Sequence, residues 1–246
     1  MTERITLTAP DGTGFEVAVA RPEGTVRGGI ILIHEIWGLV DHIVDVAERY
    51  AAEGYLVAAP DILSREGMAP AVGAELHDLV HSADEATRIA AQPRMREALS
   101  GSRAPEYAAW AVPALRTVVD WLEAQPGVDG RIGVTGFCFG GTYAFLLATA
   151  DDRVRAVAPF YGRAPEPAQI ASIHAPILAL YGGHDQALMD ALPGVRQAMT
   201  DAGVDFTEVV YPEAHHAFFN DTGSRYDAEA AADAWRRVRE FLAARL

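Results

Sequence analysis

Cysteine occurs once in this sequence of 246 residues, so no internal disulfide can form and no metal site can be assembled from cysteine clusters. Such usage suits a reducing compartment. Positive charge is also scarce: 34 acidic and 20 basic side chains leave a net charge of −14. That sign is wrong for a protein that neutralises phosphates along DNA or RNA, which excludes nucleic acid as a partner. An anionic small molecule would need a local arginine or lysine to hold it. No apolar run approaches the roughly 18 residues of a membrane span, and "MTERITLTAPDGTGFEV" at the amino terminus has no apolar core after its charges. The expectation is a soluble, cytoplasmic protein with no membrane partner, a monomer or a small homo-oligomer. Internal repeats and low-complexity tracts are missing as well.

What the chain does have is hydrophobic content, half of its residues, enough to bury a large core within one domain spanning residues 1–246. Runs rich in Val, Ile and Leu recur at "FEVAVA", "GGIILIH", "YLVAAP", "RIGVTG", "VRAVAPFYG", "PILALYGG" and "FTEVVYP". Helical periodicity lies between most of them. In "DHIVDVAERYAAEG" the spacing puts Ile43, Val46, Ala47 and Tyr50 on one face, and Gly54 ends the segment. "APEYAAWAVPALRTVVDWLEAQPG" and "YDAEAAADAWRRVREFLAARL" read the same way. Strands alternating with helices predict an α/β fold, with a mostly parallel central sheet covered by helices on both faces. Residues 62–103 hold helical pieces and no strand, and are expected to form a helical insertion beside or over the site.

The single cysteine stands in "RIGVTGFCFGGTYAFLLA". Gly136 lies two residues before Cys138 and Gly140 two after, at the junction of a predicted strand and a predicted helix. This matches the spacing of the G-x-S-x-G elbow, in which a sharp turn lifts a nucleophile above the sheet edge. A lone cysteine is otherwise a small buried hydrophobe. A nucleophile there needs an acid and a histidine later in the chain. Asp185 in "LYGGHDQ" follows a strand and a Gly-Gly turn, although a helix N-cap is the plainer use of an aspartate there. In "YPEAHHAFFND", either His215 or His216 serves by spacing alone. His184 reads as a turn histidine, and His34, His42, His77, His81 and His174 have no comparable placement.

Taken together, "LIHEIWGL", "YLVAAPDIL", "GRIGVTGFCFGG", "PILALYGGHD" and "YPEAHHAFF" make the chain resemble the dienelactone hydrolase family of α/β-hydrolases over nearly its whole length. The resemblance implies a catalytic Cys138, Asp185 and His216, the last chosen over His215 by the family's "HxF" pattern. It also implies that Glu35 in "HEIWG" takes the thiol proton when substrate arrives, the plainer reading being a surface salt bridge. An oxyanion hole of backbone N–H groups would come from Ile36 and Phe139. Trp37, Phe139, Tyr161 and Phe218 are expected to wall a small substrate.

The expected chemistry is hydrolysis of small esters or lactones through an acyl-cysteine, with no metal and no organic cofactor. A thioesterase or general carboxylesterase on the same scaffold is the alternative. A thiol redox enzyme would need an external resolving thiol, and a non-catalytic binding protein would be expected to have lost a triad member. The family's characteristic lactone carries a carboxylate held by arginines, one of them a few residues after the histidine. Here Asn220 stands at that place, with Arg225 further on, and Arg88, Arg94, Arg96 and Arg103 are available for a second anchor.

Overall fold

The computed structural model describes residues 2–246; the Arg103 and Pro105 side chains lie outside the described residues, and so does the expectation placed on Arg103. In chain order the strands are β1 (Thr2–Thr8), β2 (Gly14–Ala20), β3 (Gly28–Ile33), β4 (Tyr55–Pro60), β5 (Ile132–Phe137), β6 (Val154–Phe160), β7 (Ile177–Gly182) and β8 (Phe206–Tyr211). The helices are α1 (Asp41–Ala52), α2 (Pro70–Val80), α3 (Glu85–Ala98), α4 (Pro105–Glu123), α5 (Phe139–Ala150), α6 (Pro167–Ile170), α7 (Gln186–Ala202) and α8 (Ala228–Ala243). The strands form one sheet in the order β1-β2-β4-β3-β5-β6-β7-β8. β1 and β2 run antiparallel to their neighbours, and from β4 to β8 every pairing is parallel.

Seven of these strands coincide with the apolar runs. The eighth, β1, was not anticipated, because "TERITLT" offers only Ile5 and Leu7 to the protein interior and alternates them with polar residues at an edge. Its partner is supplied by a tight turn in which Gly12 adopts a φ of 87°, and the register pairs Ile5 with Val17.

Alternate residues of the parallel strands feed two cores. Ile30 and Leu32 of β3 pack with Ile43, Val46, Ala47 and Tyr50 of α1 and with Ala234, Val238 and Leu242 of α8. Ile31 and Ile33 face the other way, into a layer with Leu115, Val118 and Leu122 of α4 and Phe145 of α5. Each Val, Leu, Ile or Phe side chain withdrawn from water contributes about 1.5–3 kcal/mol, and the central strands, buried on both faces, read as unbroken apolar runs.

Residues 62–103 hold α2 and α3, which follow one another beside the ends of the strands. α2 approaches the chain after β3 so closely that a Cβ on Gly73 would lie 1.7 Å from the Trp37 carbonyl oxygen. α3 buries only Ala91.

Two helical glycines provide a contrast that tests this packing. A methyl on Gly140 would meet the Ile33 carbonyl oxygen at 2.2 Å, whereas one on Gly194 meets nothing within 4 Å. Gly140→Ala should cost about 1–3 kcal/mol or more, lowering Tm by several degrees. Gly194→Ala should gain up to about 1 kcal/mol from its better helix propensity. Thermal melts of the two variants that fail to separate in this direction would contradict the packing described.

Candidate active site

Side chains carried just beyond the carboxyl ends of β3, β5, β6, β7 and β8 meet at one edge of the sheet, where open α/β sheets bind ligands. The geometry begins with the turn between β5 and α5. Cys138 has φ 55° and ψ −110°, a left-handed conformation that a residue with a Cβ rarely adopts. Its N–H donates to the Phe160 carbonyl at 3.0 Å, and its own carbonyl accepts from the Thr142 N–H at 3.1 Å. A Cβ on Gly136 would sit 2.4 Å from the Gly140 carbonyl oxygen, and one on Gly140 would sit 2.2 Å from the Ile33 carbonyl oxygen, so the turn requires both glycines of the spacing to pack against α5 and the end of β3.

Asp185 occupies the N-cap position of α7, as its plainer reading suggested, but its side chain makes no cap bond. Its Oδ2 accepts a hydrogen bond from His216 Nδ1 instead. That contact leaves Nε2 for the Cys138 side. Burial opposes the charge on His216, yet the bonds to Asp185 and Cys138 outweigh it and push the imidazole up to about 10. His215 points away: it is exposed and its Nε2 lies 3.4 Å from Nδ1 of the equally exposed His184. Spacing had left the two histidines open, and the structure brings His216 to Asp185.

Glu35 is buried beside this group. Its Oε2 accepts from Asn220 Nδ2 at 2.6 Å, and the Tyr161 hydroxyl donates to Oε1 at 3.4 Å. Burial is the main influence on the carboxyl and raises it to about 7, against the pull of the Asn220 bond, the His216 charge and the Tyr161 bond. The surface salt bridge that was its plainer reading is not what the fold makes of it. The backbone around Glu35 is held by His34, a residue that sequence spacing did not single out. Its Nε2 accepts from the Ile62 N–H at 3.2 Å, so Nδ1 carries the proton and donates to the Glu35 carbonyl at 2.7 Å. The His34 ring lies parallel to that of Phe139, 5.9 Å away. Among the described residues, the N–H groups of Ile36 and Phe139 have no acceptor.

A cavity of about 400 Å³ opens over Cys138 and His216. Glu35, Ile36 and Trp37 line it from below, and His77, His81, Arg88 and Met95 of the α2–α3 segment line it from the side. Trp37 lines the cavity, with its ring edge-on to His77 at 5.2 Å. The other three expected wall residues are corrected. Phe218 is fully buried among Phe160, Tyr161 and Tyr211, because a phenylalanine two residues past His216 turns back into the core. Tyr161 is buried too and lies beneath the site, where its hydroxyl serves Glu35. Phe139 packs tilted against Tyr143 and parallel to His34 and is not among the residues lining the cavity, so its contribution is backbone.

The arginines also sort themselves. Arg94 pairs with Glu75 and Arg96 is exposed outside the cavity. Arg88 and Arg225 both line it. Arg88 is steadied by the carbonyls of Ser82 and Ala83, at 2.8 and 2.9 Å. Asn220, at the place where a cation was sought, is instead committed to Glu35. Among the described residues, no cluster of three or more His, Cys, Asp or Glu side chains could hold a metal ion, and no helix is long and apolar enough to cross a membrane.

The chain is similar to known proteins over most of its length. A protein of Saccharolobus solfataricus named "Putative carboxymethylenebutenolidase" is 34% identical, over 94% of this chain and 95% of its own. A protein of the same name from Escherichia coli K12 is 33% identical, over 87% of this chain and 75% of its own. The crystal structure of a "Putative Dienelactone Hydrolase" from Klebsiella pneumoniae superposes with a TM-score of 0.81 at 30% identity, covering 99% of both chains. The model of the dienelactone hydrolase family matches residues 15–246. The chain therefore belongs to the dienelactone hydrolase family of α/β-hydrolases and is a dienelactone hydrolase-like hydrolase.

Proposed function

We propose that the chain hydrolyses small esters or lactones by way of an acyl group carried on Cys138. The observation that carries this reading is the run of contacts from Asp185 through His216 to Cys138, at the floor of a cavity whose nearest backbone N–H groups lack acceptors. Acylation needs an acceptor for the thiol proton, and His216, pulled towards its charged form by Asp185, is poised as the later donor to the leaving group. Glu35, raised to about 7 and lining the same cavity, takes that proton as sulfur bonds to the carbonyl carbon. The carbonyl electron pair moves onto oxygen, where the Ile36 and Phe139 N–H groups stabilise it. On collapse the C–O bond breaks and His216 gives its proton to the leaving alkoxide. A water molecule then loses a proton to His216 and attacks the thioester, and the released thiolate recovers its proton from Glu35. No cofactor enters any step.

Arg88 and Arg225 suit a substrate that carries a carboxylate, since they put positive charge at the cavity of a chain whose net charge is −14. Thioesters of similar size are acyl donors for the same machinery.

Loss of dienelactone ultraviolet absorbance, run beside nitrophenol release from a short-chain nitrophenyl ester, tests the reading. Cys138→Ala should abolish both reactions with an unchanged melting profile; normal turnover by this variant would rule the mechanism out. Arg88→Ala with Arg225→Ala should raise KM for the carboxylated lactone at least tenfold and leave the neutral ester nearly unaffected. Equal effects on both substrates would remove the carboxylate from the reading.

Glu35 also makes a stability prediction. Between its ordinary 4.5 and about 7, the folded chain holds a proton that the unfolded chain releases, so this group's contribution to stability falls as pH rises through that window. Glu35→Gln abolishes that dependence. The unfolding free energy of the variant relative to wild type should grow by on the order of 3 kcal/mol from pH 4.5 to 7. Parallel denaturation curves at both pH values would show that the carboxyl is not held protonated by burial.

A further inference from the structure

Asn220 is one of few buried polar residues in the chain, and its side chain has a fixed sense. Thr222 donates to Asn220 Oδ1 twice, from its N–H at 3.0 Å and from Oγ1 at 2.6 Å. The oxygen of the carboxamide is thereby identified, and Nδ2 is left to donate to Glu35 Oε2. The backbone at this point is closed on itself as well, with the Asn220 N–H donating to the Ala217 carbonyl and the Gly223 N–H donating to that of Asn220, both at 3.1 Å. The loop that carries His216 thus also grips Glu35, four residues further on. The two carboxyl oxygens are held unequally: 2.6 Å to Asn220 at Oε2, against 3.4 Å to Tyr161 at Oε1.

We propose that Asn220, oriented by Thr222, is the positioning residue for Glu35: it pins Oε2 and leaves Oε1 as the oxygen that turns to the Cys138 thiol. This rests on the reading of Glu35 as acceptor of the thiol proton. In that step the S–H bond breaks, an O–H bond forms at Oε1 and the sulfur pair goes to the carbonyl carbon, while Nδ2 stays on Oε2 and stabilises the charge before transfer. A neutral amide suits this task better than a cation. A guanidinium at the same place would hold the carboxylate ionised and so weaken it as a base, whereas an amide anchors it and leaves its basicity near neutral pH. Among the influences that favour the ionised form, the Asn220 bond is the foremost. Its loss therefore makes Glu35 harder to ionise.

Stopped-flow acylation by nitrophenyl acetate, followed from pH 5 to 9, tests the proposal on wild type, Asn220→Ala, Asn220→Asp, Thr222→Val and Glu35→Gln, with thermal melts to confirm folding. In Asn220→Ala and Asn220→Asp the acid limb of acylation should move up by at least about one pH unit, while the pH profile of deacylation stays in place. Thr222→Val, which removes one of the two donors and keeps the other, should shift the limb in the same direction by less. A purely structural role for Asn220 would lower the rate at every pH without moving the limb, and that result overturns the proposal. Should the Asn220 variants fail to fold, Thr222→Val decides alone, and a limb at the wild-type pH counts against it. Glu35→Gln separates the two levels of the argument. If it acylates slowly while the other variants keep the wild-type limb, only the role of Asn220 falls; if it acylates at the wild-type rate, the Glu35 reading and the proposal fall together.

Discussion

The arrangement depends on one backbone constraint, the left-handed conformation of Cys138 between β5 and α5. A side chain at φ 55° costs on the order of 1–3 kcal/mol and persists only where its surroundings over-determine it. Here they do. A Cβ on Gly136 would strike the Gly140 carbonyl and one on Gly140 would strike the carbonyls of Ile33 and His34 at the end of β3, while the Cys138 N–H and C=O are both bonded. What the strain achieves is placement: a thiol stands above the sheet edge, in the space to which the neighbouring parallel strands deliver their own loops. Register does the rest. β3, β6, β7 and β8 end at the same edge and bring Glu35, Tyr161, Asp185 and His216 to that space, although they are separated by up to 181 positions in the chain.

Electrostatics at that edge differ from those of the molecule as a whole. The chain carries a large negative charge, yet the cavity is lined by Arg88, Arg225 and several histidines, and its one carboxyl is buried and raised to about 7. Burial alone would keep such a carboxyl protonated and so unable to accept the thiol proton at neutral pH. The donors on either side of it, Asn220 and Tyr161, limit that penalty, and His216 adds a favourable charge. His34 holds the same segment from behind through two bonds to backbone. The carboxyl, the free N–H of Ile36 and the wall residue Trp37 are therefore successive residues on one restrained loop.

Much of this was legible in the sequence because it depends on local pattern. The central strands are buried on both faces and so appear as unbroken apolar runs, and the two glycines around Cys138 betray a turn that excludes side chains. β1 escaped notice because a strand at the sheet edge, with polar residues alternating around Ile5 and Leu7, carries little of that signal. Choosing between His215 and His216 was beyond spacing, since adjacent residues differ only in which way the loop turns, and the resemblance to a family supplied the choice. Phe218 and Tyr161 read as cavity walls in the sequence because aromatic residues beside a site and aromatic residues beneath it look alike in one dimension. Asn220 reads in the sequence only as a missing cation, because its bond to Glu35 joins residues 185 positions apart, which no local pattern records. For His34 the sole available hint was its place next to Glu35.

The central claim is that the acyl group passes through the sulfur of Cys138. The most direct measurement is mass spectrometry of the His216→Ala variant quenched after exposure to a nitrophenyl ester, in which deacylation should stall. The account predicts one added acyl group, located on the peptide that contains Cys138. Turnover by the wild type together with an unmodified Cys138 peptide in the stalled variant, or an acyl group found on another side chain, would contradict it.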